Sequence, residues 1–163
     1  MIQISKITAG YKLKQEIFKN NQKLKVAIVR ANYHRDLTRS LEESCREELV
    51  KSGIKTANIA TFEVPGSWEI PLIAKQVAAK KIYDGIIAFG IIIKGETYHF
   101  EILANECARA LMDISLESDV PITFEVLAVY DLEQAKKRSK GKFNKGTEAA
   151  RTLLETIKSL SKL

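Results

Sequence analysis

Gly85-Ile86-Ile87-Ala88-Phe89-Gly90-Ile91-Ile92-Ile93 runs without a charge and without alternation, then breaks into Lys94-Gly95-Glu96-Thr97-Tyr98-His99. A strand with one wet face alternates apolar and polar side chains. A strand covered on both faces does not, and a continuous Ile-rich run is the pattern of a buried parallel strand. Three further runs of this kind lie along the chain, at Lys25–Arg30, Ala57–Val64 and Ile122–Val129. Each is followed by a segment with helical spacing.

Leu37, Leu41, Cys45 and Leu49 recur at helical spacing, with Arg39, Glu43, Arg46 and Glu47 on other faces. Pro71 suits a first helical position and disfavours helix at Ile70, so a helix is expected from Pro71 to Lys80 with extended chain before it. A long helix from Tyr98 to about Ser118 carries Ile102, Leu103, Cys107, Ala110, Leu111 and Ile114 as its apolar stripe. A short helix covers Leu132–Arg138, and a last one from Lys145 to Leu160 turns Leu153, Leu154, Ile157 and Leu160 inward. Strand and helix alternate throughout. The expected fold is α/β, three-layered, with a parallel sheet of about four strands and helices on both faces. Residues 1–23 do not join this rhythm and read as an N-terminal arm, in which Ile2-Gln3-Ile4 is a short strand available to a neighbouring subunit.

The chain has 163 residues, 45% of them apolar, which predicts one soluble globular domain over residues 1–163. The longest apolar run, Gly85–Ile93, is too short for a bilayer, which needs roughly twenty residues. Lys6 and Lys12 interrupt any leader-like stretch, so the expected compartment is the cytoplasm. Cys45 and Cys107 read as small buried thiols within helices, not as a disulfide framework. Neither histidine has a Cys or His at metal-ligand spacing, and there is no Walker loop or dinucleotide fingerprint.

The formal charge is +6, and Lys136, Lys137, Arg138, Lys140, Lys142 and Lys145 concentrate it. Such a run reads as a solvated helix end, as a site for an anionic substrate, or as a nucleic-acid patch. Nucleic-acid recognition asks for interleaved aromatic residues, and only Phe143 is there. A phosphate-bearing small molecule fits better than nucleic acid.

Ligands of open α/β sheets bind outside the carboxyl ends of the strands. The four loops expected there carry Asn32-Tyr33-His34, Pro65-Gly66-Ser67-Trp68-Glu69, Lys94-Gly95-Glu96-Thr97 and Tyr130-Asp131. Gly95 and Thr97 open a helix whose first N–H groups suit an anion, and His99 lies in its first turn. The positive end of a helix dipole favours a neutral imidazole, so His99 reads as a base or as an idle surface histidine. Trp68 reads equally as core or as a ring-binding residue. Glu69 needs polar partners near the sheet edge, and sugar hydroxyls would serve.

Val64-Pro65-Gly66-Ser67-Trp68-Glu69-Ile70-Pro71, Gly90 to Phe100, Pro121-Ile122-Thr123-Phe124, Asn144-Lys145-Gly146 and Glu148-Ala149-Ala150 together resemble the lumazine synthase family, from about Lys25 to Leu160. The resemblance implies a flavodoxin-like fold and a cofactor-free condensation of 5-amino-6-ribitylaminouracil with 3,4-dihydroxy-2-butanone 4-phosphate. It implies that Tyr33 stacks on the pyrimidine, and that Ser67, Trp68 and Glu69 hold the ring edge and ribityl chain. The backbone at Ile91, Ile92 and Ile93 then reads the pyrimidine, Glu96 and Thr97 bind phosphate, and His99 moves protons. Phe124 and Arg138 match residues that reach in from an adjacent subunit, Arg138 onto the phosphate, and Lys145 is a possible addition. Homopentameric rings, some packed into shells, are implied as well. The small-molecule substrates and further copies of the chain are thus the expected partners, with no nucleic acid and no membrane. A non-catalytic flavin- or lumazine-binding or shell-building relative is the alternative.

The chain departs from the family pattern in places. Asn32-Tyr33-His34 replaces the commoner Arg-Phe-Asn, Glu96 replaces a small residue, and Glu125 replaces Gly. Ala128-Val129-Tyr130-Asp131 is also unusual, and the stretch Lys140 to Gly146 is short compared with that of shell-forming members.

Overall fold

The computed structural model describes residues 20–163. The arm's Ile2-Gln3-Ile4 lies outside the described residues. Four strands, β1 (Val26–Ala31), β2 (Ile59–Val64), β3 (Gly85–Ile93) and β4 (Ile122–Val129), pair in the order β2-β1-β3-β4, every pair parallel. The helices are α1 (Arg35–Lys51), α2 (Ile70–Ala79), α3 (His99–Ser118), α4 (Leu132–Ser139) and α5 (Lys145–Leu160).

Strand alternation divides the core into two layers. Val26 and Ile28 of β1, with Ile87, Phe89 and Ile91 of β3, pack beneath Leu37, Leu41, Cys45 and Leu49 of α1 and Leu153 of α5. On the other face Ala27, Val29, Ile86 and Ala88 meet Ile70, Ala74 and Val77 of α2 and Cys107, Leu111 and Ile114 of α3. This is a three-layer, flavodoxin-like α/β fold. The strand order has a consequence for binding. The β1–α1–β2 connection steps outward from β1, whereas β2–α2–β3 returns across β1 to its other side. The connections therefore diverge between β1 and β3, the switch point where such sheets open a crevice.

Strands β3 and β4 and helix α5 have the expected bounds, and β1 and α4 fall within a residue of theirs. The others shift for local reasons. Ala57 is not in β2, because Thr56–Asn58 forms a 3-10 turn in which the Asn58 N–H donates to the Lys55 carbonyl, 2.8 Å. Ile70 is helical (φ −56, ψ −48), and Ser67–Glu69 before it is a 3-10 turn where extended chain was expected. The Gly66 N–H donates to Glu69 Oε2 at 2.8 Å, which closes that turn, while Ser67 and Ile70 are buried by it. Those gains outweigh the preference that Pro71 imposes on its neighbour, and Pro71 in the first helical turn has no N–H to lose.

Two expected core residues are exposed. Leu160 sits in the last turn of α5, and Ile102 joins Met112 and Leu116 on the outer side of α3. Cys45 and Cys107 are buried free thiols, and burial pushes both up in pKa, Cys107 to about 11.

Candidate active site at the carboxyl edge

All four strands point the same way, so Ala31, Val64, Ile93 and Val129 end along one edge. The four loops read from the sequence follow them directly, and two of these flank the switch point. After β1 come Asn32 and Tyr33, whose N–H groups donate to the carbonyls of Val64 (2.7 Å) and Pro65 (3.0 Å). The loop is thereby drawn toward β2, away from β3. His34 follows in the left-handed region (φ 55) and begins α1, with its carbonyl accepting from Leu37 and Thr38. Tyr33 is 68% exposed and meets the His34 ring edge-on, centroids 4.8 Å apart. A ring held by its backbone and left bare to solvent is available for stacking.

β3 outruns β1. It pairs with β1 only as far as Phe89, opposite Arg30, but with β4 through Ile93. Beyond Phe89, the backbone groups that β3 turns toward β1 have no strand partner among the described residues. The side chains of Ile91 and Ile92 are buried and that of Ile93 is half-buried, so what these residues can offer a ligand is main chain.

The Ser67–Glu69 turn caps this gap from the α2 face. Ser67 is buried, and a β-carbon on Gly90 would lie 2.6 Å from its Oγ. The Cys107 thiol of α3 approaches the Ser67 carbonyl at 3.5 Å. Trp68 is 57% exposed, so it is not core. Glu69 is half-buried, one carboxylate oxygen spent on Gly66.

The loop after β3 leaves its anchor at once, the Lys94 N–H donating to the Val129 carbonyl at 2.8 Å. Helix α3 starts at His99, so Thr97 belongs to the turn before it, and Tyr98 at the N-cap offers no side-chain acceptor to the first N–H groups. Beyond its two chain neighbours, no atom of the described residues lies within 4 Å of where a β-carbon on Gly95 would stand. Glu96, Thr97 and His99 are all exposed. Lys94 Nζ pairs with Glu101 (2.9 Å) and lies 5.7 Å from the ring centres of both Phe100 and Tyr130. The Glu101 hydrogen bond raises the Lys94 pKa, and the same bond lowers that of Glu101. Lys94 thus neutralises the one acid of the first turn, whose N–H groups have no side-chain cap.

Phe124 is not brought to this edge, and Arg138 is kept from α3. Phe124 pairs with Ala88 in mid-sheet, about 17 Å down the strand from Val129. It is 42% exposed on the edge strand. Arg138 lies near the far end of α4, on the opposite face of the sheet from α3, its guanidinium donating to the Gln134 carbonyl at 3.3 Å. Lys145 is at the start of α5 and pairs with Glu148.

With this geometry in place, the comparisons with known proteins are decisive. The sequence profile of 6,7-dimethyl-8-ribityllumazine synthase matches residues 23–161. The chain belongs to the lumazine synthase family. It is 43% identical over 141 residues to the 6,7-dimethyl-8-ribityllumazine synthase of Ruthia magnifica, covering 83% of this chain and 84% of the relative. The enzyme of the same name from Paracidovorax citrulli is 40% identical over 144 residues, 88% of this chain and 92% of that one. That from Leuconostoc mesenteroides is 43% identical over 134 residues, 82% and 86%. The chain is therefore an enzyme of the transferase class found in riboflavin biosynthesis.

Two features near this edge lie outside the residues that the sequence singles out. One is the Lys94–Glu101 pair beneath Phe100 and Tyr130. The other is Arg30, fully buried at the end of β1. Its signal was present in Val26-Ala27-Ile28-Val29-Arg30-Ala31, a charge inside an otherwise apolar strand.

Proposed function

We infer that this chain condenses 5-amino-6-ribitylaminouracil with 3,4-dihydroxy-2-butanone 4-phosphate, forming 6,7-dimethyl-8-ribityllumazine with release of phosphate and water. The observation that supports this reading is the β1/β3 switch point, where the pairing with β1 stops at Phe89 and β3 extends past its partner. A flat heterocycle entering there meets Tyr33 on its face and the β3 backbone on its edge. The Ser67–Glu69 turn lies alongside, with Trp68 and Glu69 toward the ribityl chain. The butanone phosphate sits at the N-terminus of α3, its phosphate over the Glu96-Thr97 turn, where the helix dipole and free N–H groups favour an anion. His99, in the first turn of that helix, lies beside this phosphate and moves protons between amine, carbonyl and leaving groups. An amine and a ketone react readily once held together, so proximity contributes much of the rate and no cofactor is drawn into the scheme.

We propose further that the site is completed by a second copy. Phe124 lies in mid-sheet, Arg138 lies across the sheet from α3, and both are exposed, so the site they serve belongs to a neighbour. Ile102, Met112 and Leu116 on α3, with Leu72 on α2, leave apolar surface for such contacts. A head-to-tail ring of five copies is the assembly we propose, with Arg138 on the neighbour's phosphate and Lys145 beside it. The full chain is taken as one domain working in the cytoplasm; among the described residues no helix is long and apolar enough to cross a membrane.

Purified protein given both substrates, with chelator present, should form the lumazine, read by its visible absorbance and fluorescence. Tight binding of added product with no turnover, under conditions where an authentic synthase works, would replace this reading with a binding function.

A further inference from the structure

Arg30 is 1% exposed, an expensive place for a guanidinium unless its donors are matched. They are matched in three directions. Nε donates to Glu42 Oε2 at 2.7 Å, Nη1 to Asn32 Oδ1 at 3.0 Å, and Nη2 to Glu63 Oε1. Asn32 Nδ2 donates in turn to Glu63 Oε2, 3.1 Å. The Asn32 carboxamide is therefore held at both ends, its oxygen by Arg30 and its nitrogen by Glu63. Its own N–H is bound to Val64 as well.

Behind Arg30 the anchoring continues into two elements. Glu42 of α1 accepts from Arg46 (2.8 Å) and Thr61 (2.5 Å), and Arg46 also reaches Thr61. An apolar side chain would fill the same space at the end of β1 with less desolvation. What it would not do is orient the residue before Tyr33. A planar guanidinium with fixed donor directions does that, where a flexible ammonium would not.

We propose that Arg30 is a positioning residue for the condensation, fixing through Asn32 the loop that presents Tyr33 to the pyrimidine. The proposal rests on the reading that Tyr33 stacks on that ring. Arg30 touches no substrate; it acts two residues away, through one carboxamide.

Arg30→Met would take the shared cation away from Glu42 and Glu63 and report mainly on folding. Asn32→Ala is the better test, since it leaves the pairs of Arg30 with both carboxylates in place. In the full-length protein it should raise KM for 5-amino-6-ribitylaminouracil about tenfold, with kcat at saturation within about twofold of the parent. Placed in a Tyr33→Ala background, the same substitution should change KM by less than about twofold, because the group it positions is gone. Arg30→Lys, which keeps the charge and the fold, should show the KM rise of Asn32→Ala. Parental KM in Asn32→Ala or in Arg30→Lys would overturn the proposal. So would an Asn32→Ala effect of equal size with and without Tyr33. An unchanged KM in Tyr33→Ala itself would instead overturn the stacking reading, and the proposal with it.

Discussion

Gly90 of β3 lies so close beneath Ser67 that a β-carbon there would stand 2.6 Å from the serine Oγ, and 3.1 Å from side-chain carbons of Ile70 and Val126. The turn that flanks the crevice thus rests directly on the sheet, and only a residue without a side chain permits it. Gly90→Ala should push the Ser67–Glu69 turn outward. A stability loss of roughly 1–3 kcal/mol is expected from overpacking, measured by denaturant melts. KM for the pyrimidine should rise alongside. A variant with parental KM would show that the turn does not contact that substrate.

His99 opens α3 beside the Glu96-Thr97 turn, and its side chain is exposed. As a positioned proton-transfer group it should contribute roughly 10²–10⁴-fold to the rate. His99→Ala is expected to be slow but active, because proximity of two reactive substrates remains. Pyrimidine binding should change little. Steady-state kinetics at saturating substrate check this, and a parental kcat would remove His99 from the mechanism.

Glu125 stands on β4 in a half-buried place, and burial raises its pKa from 4.5 to about 7, with Lys145 opposing and Glu148 reinforcing the shift. Between these two values the folded chain binds a proton that the unfolded chain does not, so this group makes stability fall as pH rises from about 4.5 to 7. Glu42 and Glu63 act with the opposite sign. Burial works against the Glu42 carboxylate, but hydrogen bonds from Thr61, Arg46 and Arg30 outweigh it, while Asn32 and Arg30 lower Glu63. Their contribution is present above pH 4.5 and lost as pH falls through their depressed values. Glu125→Gln should therefore stabilise the protein at pH 8 by roughly 1–2 kcal/mol, after discounting for solvent screening, and by much less near pH 5. Thermal melts across this range test it. An equal effect at both ends would mean that Glu125 titrates as a free carboxylate.

Much of this architecture is legible in the chain because burial on both faces leaves a local trace. Gly85–Ile93 is unbroken and then meets Lys94, so both ends of β3 are marked. The loops at the carboxyl edge follow from that alternation and from the sheet being parallel. Other features depend on partners distant in sequence. The Ser67–Glu69 turn is closed by a side chain reaching back to the Gly66 N–H, which no propensity of Pro71 announces. Arg30 looks like a strand end until Glu42 and Glu63, from α1 and β2, are brought around it. Ile102 is apolar, yet at about 100° per residue it lies on the opposite side of α3 from Leu111 and is exposed. The family resemblance leads one to expect Arg138 and Phe124 beside His99, whereas in their own chain Arg138 lies across the sheet from α3 and Phe124 lies in mid-sheet.

That separation supplies the most direct test of the central claim, that the condensation occurs at a carboxyl edge completed by a second copy. His99→Ala subunits spoil one half of each site, and Arg138→Ala subunits the other, so each homo-oligomer should be impaired throughout. When the two are unfolded together and reassembled in equal amounts, random head-to-tail mixing leaves about a quarter of the interfaces with both halves intact. Lumazine formation should then rise above either parent toward that fraction of the unmodified enzyme, while mixing without subunit exchange should give only the average of the two. No gain after proven co-assembly would contradict the account, placing His99 and Arg138 in a site built within one chain.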